Sequence, residues 1–132
     1  CRLHAAGVLM SRILGLTERE VGAVAVARVV LDRLTRLLDE ESEALARRTV
    51  ERHGPYTERK NQLLRELMAA QKNCGSAAAL ESLKVQTAAV KEALHRNQRL
   101  LKVHIEAVRE VSSIIVDSIR QAESDGTYSR HA

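Results

Sequence analysis

The side chains that could perform catalysis or bind a metal are few in this 132-residue chain, and they are widely separated. Of the five histidines, only His95 and His104 fall in one predicted helix, about two and a half turns apart, which is too far for both to reach one metal ion. His104 is expected to be a packed or half-exposed polar residue. The neighbouring carboxylates Glu40, Glu41 and Glu43 are expected to be solvated charges on a helix. No phosphate-binding glycine loop, nucleophile elbow or H-E-x-x-H pair is present. We therefore expect a protein that is not an enzyme, with no cofactor and no metal.

The two cysteines, Cys1 and Cys74, form neither a metal-ligand spacing nor a redox pair. A reduced, cytoplasmic protein is the simplest prediction. Because the chain begins with Cys1, we expect its natural start to lie upstream. Residues 1–16 are too short and too broken by glycine to span a membrane, so no stable membrane insertion is expected. Arg2 and Leu3 keep a signal peptide open as an alternative.

The composition is typical of long helices. The chain has no Phe or Trp and only two Tyr, while 29% of its residues are charged. One proline and six glycines give too few turns for a β fold. The net charge of +4 is spread along the chain without stacking aromatics, so nucleic acid is not an expected partner.

Capping residues and helix breakers divide the chain into three predicted helices. Thr17 is a good N-cap for a first helix that runs to about Arg48. The Gly54-Pro55 pair favours a break and a second helix from Pro55 to about Lys72, although a kink in one continuous helix is the alternative. The segment "NCGS" then ends the second helix and caps a third.

The third predicted helix, from Ala77 to about Glu123, contains neither Pro nor Gly and would be about 70 Å long. We predict an all-α fold, an elongated antiparallel three-helix coiled-coil-like bundle with a long C-terminal helix. The predicted organisation is an N-terminal lead-in over residues 1–16, a helical domain over residues 17–123 and a flexible tail over residues 124–132.

The third helix carries an unbroken three-four alternation, which is typical of a heptad seam. The seam consists of Leu80, Leu83, Thr87, Val90, Leu94, Asn97, Leu101, His104, Val108, Val111, Ile115, Ser118 and Ala122. At 100° per residue, the large apolar side chains other than Val85 spread over about 80° between residues 80 and 94, but over about 220° between residues 100 and 119. The second helix is short, so this wide face would extend tens of Å beyond its neighbours. Internal packing, a homodimer and a separate protein partner all remain open as explanations.

Three segments, "LLDEESEAL" (37–45), "YTERKNQLLREL" (56–67) and "NQRLL" (97–101), together with Tyr128, occur in an order and spacing that resembles the FlgN family of flagellar export chaperones. The resemblance extends over roughly residues 20–128. It implies a cytoplasmic chaperone of flagellar type III secretion that binds the C-terminal amphipathic helical segment of hook-filament junction (hook-associated) proteins. Such a chaperone prevents premature assembly of its client and aids delivery to components of the flagellar export apparatus.

On this interpretation the client lies on the wide face of the third helix. Asn97 would fix the register or bond the client backbone, and the tail around Tyr128 would dock when the client is bound. The predicted apolar floor is Leu100, Leu101, Ile105, Val108, Val111, Ile115 and Ile119. The alternatives are a structural coiled-coil protein that only self-associates, and a secreted or surface-adsorbed helical protein with a signal sequence upstream.

Overall fold

The computed structural model describes residues 15–49 and 52–131, with side chains up to residue 126. The described residues form helices and connecting turns without a strand, which confirms the all-α prediction. Residues 1–14 of the predicted lead-in lie outside the described part of the chain. The helices are α1 (Glu18–Ala46), α2 (Gly54–Gln71), α3 (Ala77–Ser82) and α4 (Lys84–His131).

Helix α1 is the central helix of the bundle. Both α2 and α4 pack against α1, whereas α2 and α4 approach each other at few points. Hydrogen bonds join α1 to Ser76, Ser82 and Asn97 in turn. In each pair the partner lies 54 to 56 positions after the α1 residue in the sequence. This nearly constant separation shows that α1 runs parallel to α3 and α4. Helix α2 lies between these helices in the sequence and runs antiparallel to them, as the predicted antiparallel bundle requires.

A capping box and a second cap meet at the beginning of α1. The Thr17 hydroxyl accepts a hydrogen bond from the Glu20 amide at 3.2 Å, and the Glu20 carboxylate accepts one from the Thr17 amide at 3.5 Å. The same carboxylate accepts a hydrogen bond from the hydroxyl of Ser76, which is the N-cap of α3. These bonds, the one from Ser76 above all, lower the pKa of Glu20. One carboxylate therefore joins the N-termini of two parallel helices, where both helix dipoles favour negative charge.

The end of α1 is set by a left-handed residue. Arg48 has a φ of 57°, and the Thr49 amide donates to the carbonyl of Ala44 at 2.9 Å. The Arg48 amide donates to the carbonyl of Leu45 at 3.1 Å, which completes a Schellman motif. Helix α1 therefore ends at Ala46 while α4 continues beside it and beyond it.

The break at Gly54-Pro55 is a true helix start. His53 is the N-cap of α2, and Pro55 occupies the first turn, where its missing amide hydrogen costs no helical bond. The alternative of one kinked continuous helix is wrong.

The third helix differs from the prediction at two places. It is interrupted at Leu83 (φ −103°, ψ 3°), where the Leu83 amide bonds back only three residues to Leu80. The Ser82 hydroxyl donates a hydrogen bond to the Ala78 carbonyl at 3.0 Å. Arg28 Nη2 donates one to the Ser82 carbonyl at 3.2 Å, so this carbonyl has a partner outside its own helix. At the other end, α4 runs to His131, so residues 124–131 continue the helix that we expected to end at about Glu123.

The dry core extends from the beginning of α1 to about Leu38. One cluster joins α1 to α2 and to the α3 turn, and a second joins α1 to the first part of α4. The first cluster consists of Leu16, Val24, Ala27, Leu31, Ala70, Cys74, Ala79 and Leu83, and the second of Leu34, Leu38 and Ala93. Burial raises the pKa of the Cys74 thiol, which keeps it neutral inside the first cluster.

Candidate protein-binding surface

Helix α4 outruns α1 by a long segment. The separation of about 56 residues between facing positions places Ala46, the last residue of α1, beside residue 102. Every residue from 105 to 126 is exposed. We call this segment the α4 extension; its 22 residues measure about 33 Å along the helix axis.

The α4 extension keeps the apolar pattern of the covered part of the helix. Its seven large aliphatic side chains are 45–58% exposed, whereas the core apolar residues of the bundle are at most 7% exposed. They are Ile105, Val108, Val111, Ile114, Ile115, Val116 and Ile119. Completing their burial would release on the order of 5–10 kcal/mol before the cost of association, at about 25 cal/mol per Å². A contiguous apolar surface of this size is typical of a protein-binding site.

An open pocket of about 440 Å³ lies at the base of the extension, where α1 ends. Its wall on the α1 side is formed by Leu45 and Arg48. The imidazole of His104, which also lines the pocket, contacts that of His53 edge to face, with ring centroids 5.0 Å apart. From α4 the lining residues are Leu100, Val103, His104, Ala107, Val108, Val111 and Ser112. The pocket and the extension therefore form one continuous apolar surface.

A buried polar layer separates this surface from the dry core. The Glu41 carboxylate, 1% exposed, accepts hydrogen bonds from Lys60 Nζ at 2.9 Å and from Asn97 Nδ2 at 2.8 Å. The Asn97 amide also donates to the Ser42 hydroxyl at 3.4 Å. The three groups come from α1, α2 and α4. A polar layer of this kind fixes the register of the helices around it.

This layer corrects two expectations. Asn97 is 1% exposed and its amide nitrogen donates to Glu41 and Ser42 of its own chain, so its contacts support the register role rather than contact with a client. Glu41 is buried, whereas Glu40 and Glu43 are exposed as expected. The signal was present in the sequence, because Glu41 stands between Leu38 and Leu45 at steps of three and four. A carboxylate at a seam position needs a cationic partner, and that partner is Lys60.

The other predicted binding residues differ in how far they are exposed. Leu100 and Leu101 are half-buried beside the end of α1. The side chain of Tyr128 lies outside the described residues, although its backbone belongs to α4. Fully in the exposed segment are Ile105, Val108, Val111, Ile115 and Ile119.

The covered seam of α4 is rotated from the predicted one. Ala93 is buried at 6% exposure, while Leu94, a predicted seam residue, is 41% exposed. The small alanine lets α1 approach closely, and this turns Leu94 toward solvent. The sequence pattern favoured the larger side chain, so Ala93 was missed, as was Ala107 of the pocket. Val103 belongs to the wide apolar arc predicted between residues 100 and 119, although it is not among the predicted binding residues.

Other kinds of site were searched for in the described ranges. Between residues 15 and 49 and between 52 and 131, no three His, Cys, Asp or Glu side chains come together as a group that could hold a metal. Among the helices described, none has the length and hydropathy that a bilayer crossing requires.

The described residues define an all-α fold in which a long helix presents an apolar surface that they leave uncovered. In comparisons with known proteins, no family model, no curated protein and no solved structure matches the chain.

Proposed function

We propose that this protein is a cytoplasmic export chaperone that binds the C-terminal amphipathic helical segment of flagellar hook-filament junction proteins. It would prevent their premature assembly and help to deliver them to the flagellar export apparatus. The observation that carries the proposal is the α4 extension, 22 residues of exposed helix whose apolar side chains have no cover from the described part of the chain. The resemblance of three segments to the FlgN family supplies the class of client.

The geometry indicates where a client helix would lie. Helix α1 covers the apolar face of α4 up to about residue 102, and a client helix placed end to end with α1 would continue that cover. Its first anchor would enter the pocket beside Leu45, and later anchors at i+3, i+4 and i+7 would follow the extension toward Ile119.

The polar layer fits this role because it lies just below the point where the cover that α1 gives to α4 ends. Glu41, Lys60 and Asn97 hold the helices in register directly below the pocket. The bundle can therefore remain folded while the surface above it is empty. A client segment that orders only on binding would lose conformational entropy, so we expect reversible binding of moderate affinity.

The proposal is tested by titrating synthetic C-terminal segments of hook-filament junction proteins into the purified chain and measuring heat of binding. Ile115→Asp places a charge in the middle of the proposed contact and is expected to weaken binding by at least tenfold. Ser113→Asp adds the same charge on the opposite face of α4 and is expected to leave affinity within about twofold. The far-ultraviolet circular dichroism of both variants should match that of the parent chain.

Two outcomes would overturn the proposal. One is that no segment from any hook-filament junction protein binds the folded parent chain. The other is that Ile115→Asp binds as well as the parent, which would place the client elsewhere.

A further inference from the structure

The apolar arc of the α4 extension is wider than one helix covers, and it divides into two sides. At 100° per residue, the proposed client side spans about 120°; it contains Leu101, Ile105, Val108, Val111, Ile115 and Ile119. A second side begins where the first ends and spans about 80°. We call it the α4 flank, and it contains Arg96, Arg99, Val103, Ala107, Glu110, Ile114 and Asp117.

The charges of the α4 flank are ordered along the helix. Arg96 and Arg99 lie on one side of its apolar residues, and Glu110 and Asp117 lie toward the other end. All four of these side chains belong to exposed residues, as do Val103 and Ile114, which are 62% and 58% exposed. The flank is therefore a short apolar strip with a basic end and an acidic end.

We propose that the α4 flanks of two copies of this chain pair with each other in antiparallel orientation. In one alignment, the numbers of two residues that face each other add up to about 217. Arg99 then lies opposite Asp117 of the second copy, and Val103 lies opposite Ile114 of the second copy. The twofold axis of the pair repeats both contacts. A single register thus pairs Arg99 with Asp117 twice and buries the apolar strip.

The parallel orientation of the same two helices is disfavoured. It would place the two Arg99 guanidinium groups side by side and the two Asp117 carboxylates side by side. Like charges across an interface oppose association, so charge order selects the antiparallel pair.

The bundle leaves room for the end of the second helix. In the proposed alignment, residues 118–126 of the second copy lie beside residues 91–99. There, α1 and α4 leave an open groove of about 670 Å³, which continues the same side of α4 and is lined by no residue of α2. Ala89 and Ala93 form part of its floor, and such small side chains allow a helix to approach closely. Arg96 and Arg99 line the same groove, where the acidic end of the second helix would arrive.

This pairing is independent of the proposed chaperone function. It uses the flank and leaves the client side of α4 open, so a dimer could bind a client on each chain. It also explains why the apolar arc is about 220° wide, since one helix on each side is needed to cover it.

Charge exchange tests the pairing. The dissociation constant of the dimer is measured by sedimentation equilibrium for the full chain and for charge-reversed variants. Arg99→Glu alone and Asp117→Arg alone are each expected to raise it by at least tenfold, and the double variant carrying both changes is expected to return it to within about threefold of the parent. Arg109→Glu, the same change at a position about 120° around α4 from the centre of the flank, should leave it unchanged.

Three results would overturn the proposal. They are a parent chain that stays monomeric up to millimolar concentration, a double variant that associates no better than the single variants, and an Arg109→Glu variant that is weakened as much as Arg99→Glu.

Disulfide trapping tests the orientation. In a background with Cys1→Ser and Cys74→Ala, one preparation carries Val103→Cys and another carries Ile114→Cys. After the two are mixed and mildly oxidised, the antiparallel pair predicts mainly the mixed 103–114 disulfide. A majority of 103–103 and 114–114 products would instead show the parallel pair and contradict the inference.

Discussion

The two halves of α4 carry the same heptad alternation and have different surroundings. From Lys84 to His104 the helix packs against α1, and this half contains Asn97 of the polar layer that Glu41 and Lys60 complete. From residue 105 to residue 126 the pattern continues without cover from the described residues. The difference shows that a heptad pattern indicates which face of a helix is suited to burial, but not which helix covers it. The Schellman turn at Arg48 ends α1, so α1 does not cover the α4 extension.

The largest expected effect is on the covered half. Leu38 is 1% exposed in the second core cluster, and Leu38→Ala would remove its packing and leave a cavity. We expect a loss of about 2–5 kcal/mol in the free energy of unfolding, measured by urea denaturation. A loss below about 1 kcal/mol would show that the covered half is no better packed than the extension.

The next effect concerns the polar layer at the boundary between the two halves. Lys60→Met would leave the Glu41 carboxylate buried with Asn97 as its remaining partner, and we expect a loss of about 1–3 kcal/mol. Adding Glu41→Leu should recover most of this loss, because no buried charge then remains. As a control, Arg59→Met breaks the neighbouring pair with Glu40, whose side chains are 59% and 57% exposed, and should cost less than about 1 kcal/mol. Equal effects of Lys60→Met and Arg59→Met would argue against a buried layer.

A smaller effect is expected where α1 and α3 begin. Thr17→Ala and Ser76→Ala each remove an N-cap and should each cost about 1 kcal/mol. Because the pKa of Glu20 is lowered in the folded state, its contribution is present at neutral pH and is lost as the pH falls from its ordinary value of 4.5 through the folded value. Denaturation curves between pH 3 and pH 7 should therefore show an acid-dependent loss that Glu20→Gln diminishes. An unchanged acid dependence in Glu20→Gln would remove this role.

The smallest effect is expected in the extension. Ile119 is 53% exposed, so Ile119→Ala should change the free energy of unfolding by less than about 0.5 kcal/mol. The change could even be slightly stabilising, since Ala is the better helix former. If Ile119→Ala cost as much as Leu38→Ala, the distinction between the two halves of α4 would be lost.

Most of the fold could be predicted from the sequence because its signals are local. The cap at Thr17, the break at Gly54-Pro55 and the unbroken periodicity after Ser76 placed the helices and their order. The interruption at Leu83 could not be predicted in this way, because it depends on Arg28, a residue 54 positions from the carbonyl that it binds.

The candidate surface was predictable in outline from the width of its apolar arc. The position along α4 at which this surface begins could not be predicted. It depends on where α1 ends and on which small residue of α4 faces α1. Asn97 and Glu41 illustrate this limit. Each reads alone as a polar residue in an apolar seam, and only the parallel register of α1 and α4 shows that they are partners.

The most direct test of the account is amide hydrogen exchange of α4, measured at a concentration where the chain is monomeric, with and without a client segment. The account predicts strong protection of residues 84–104 in both states, and weak protection of residues 105–119 that rises by at least tenfold when the client is added. Strong protection of residues 105–119 in the free monomer would contradict the account, because the chain itself would then cover that surface. No gain of protection with any client segment would contradict the proposal that a client covers it.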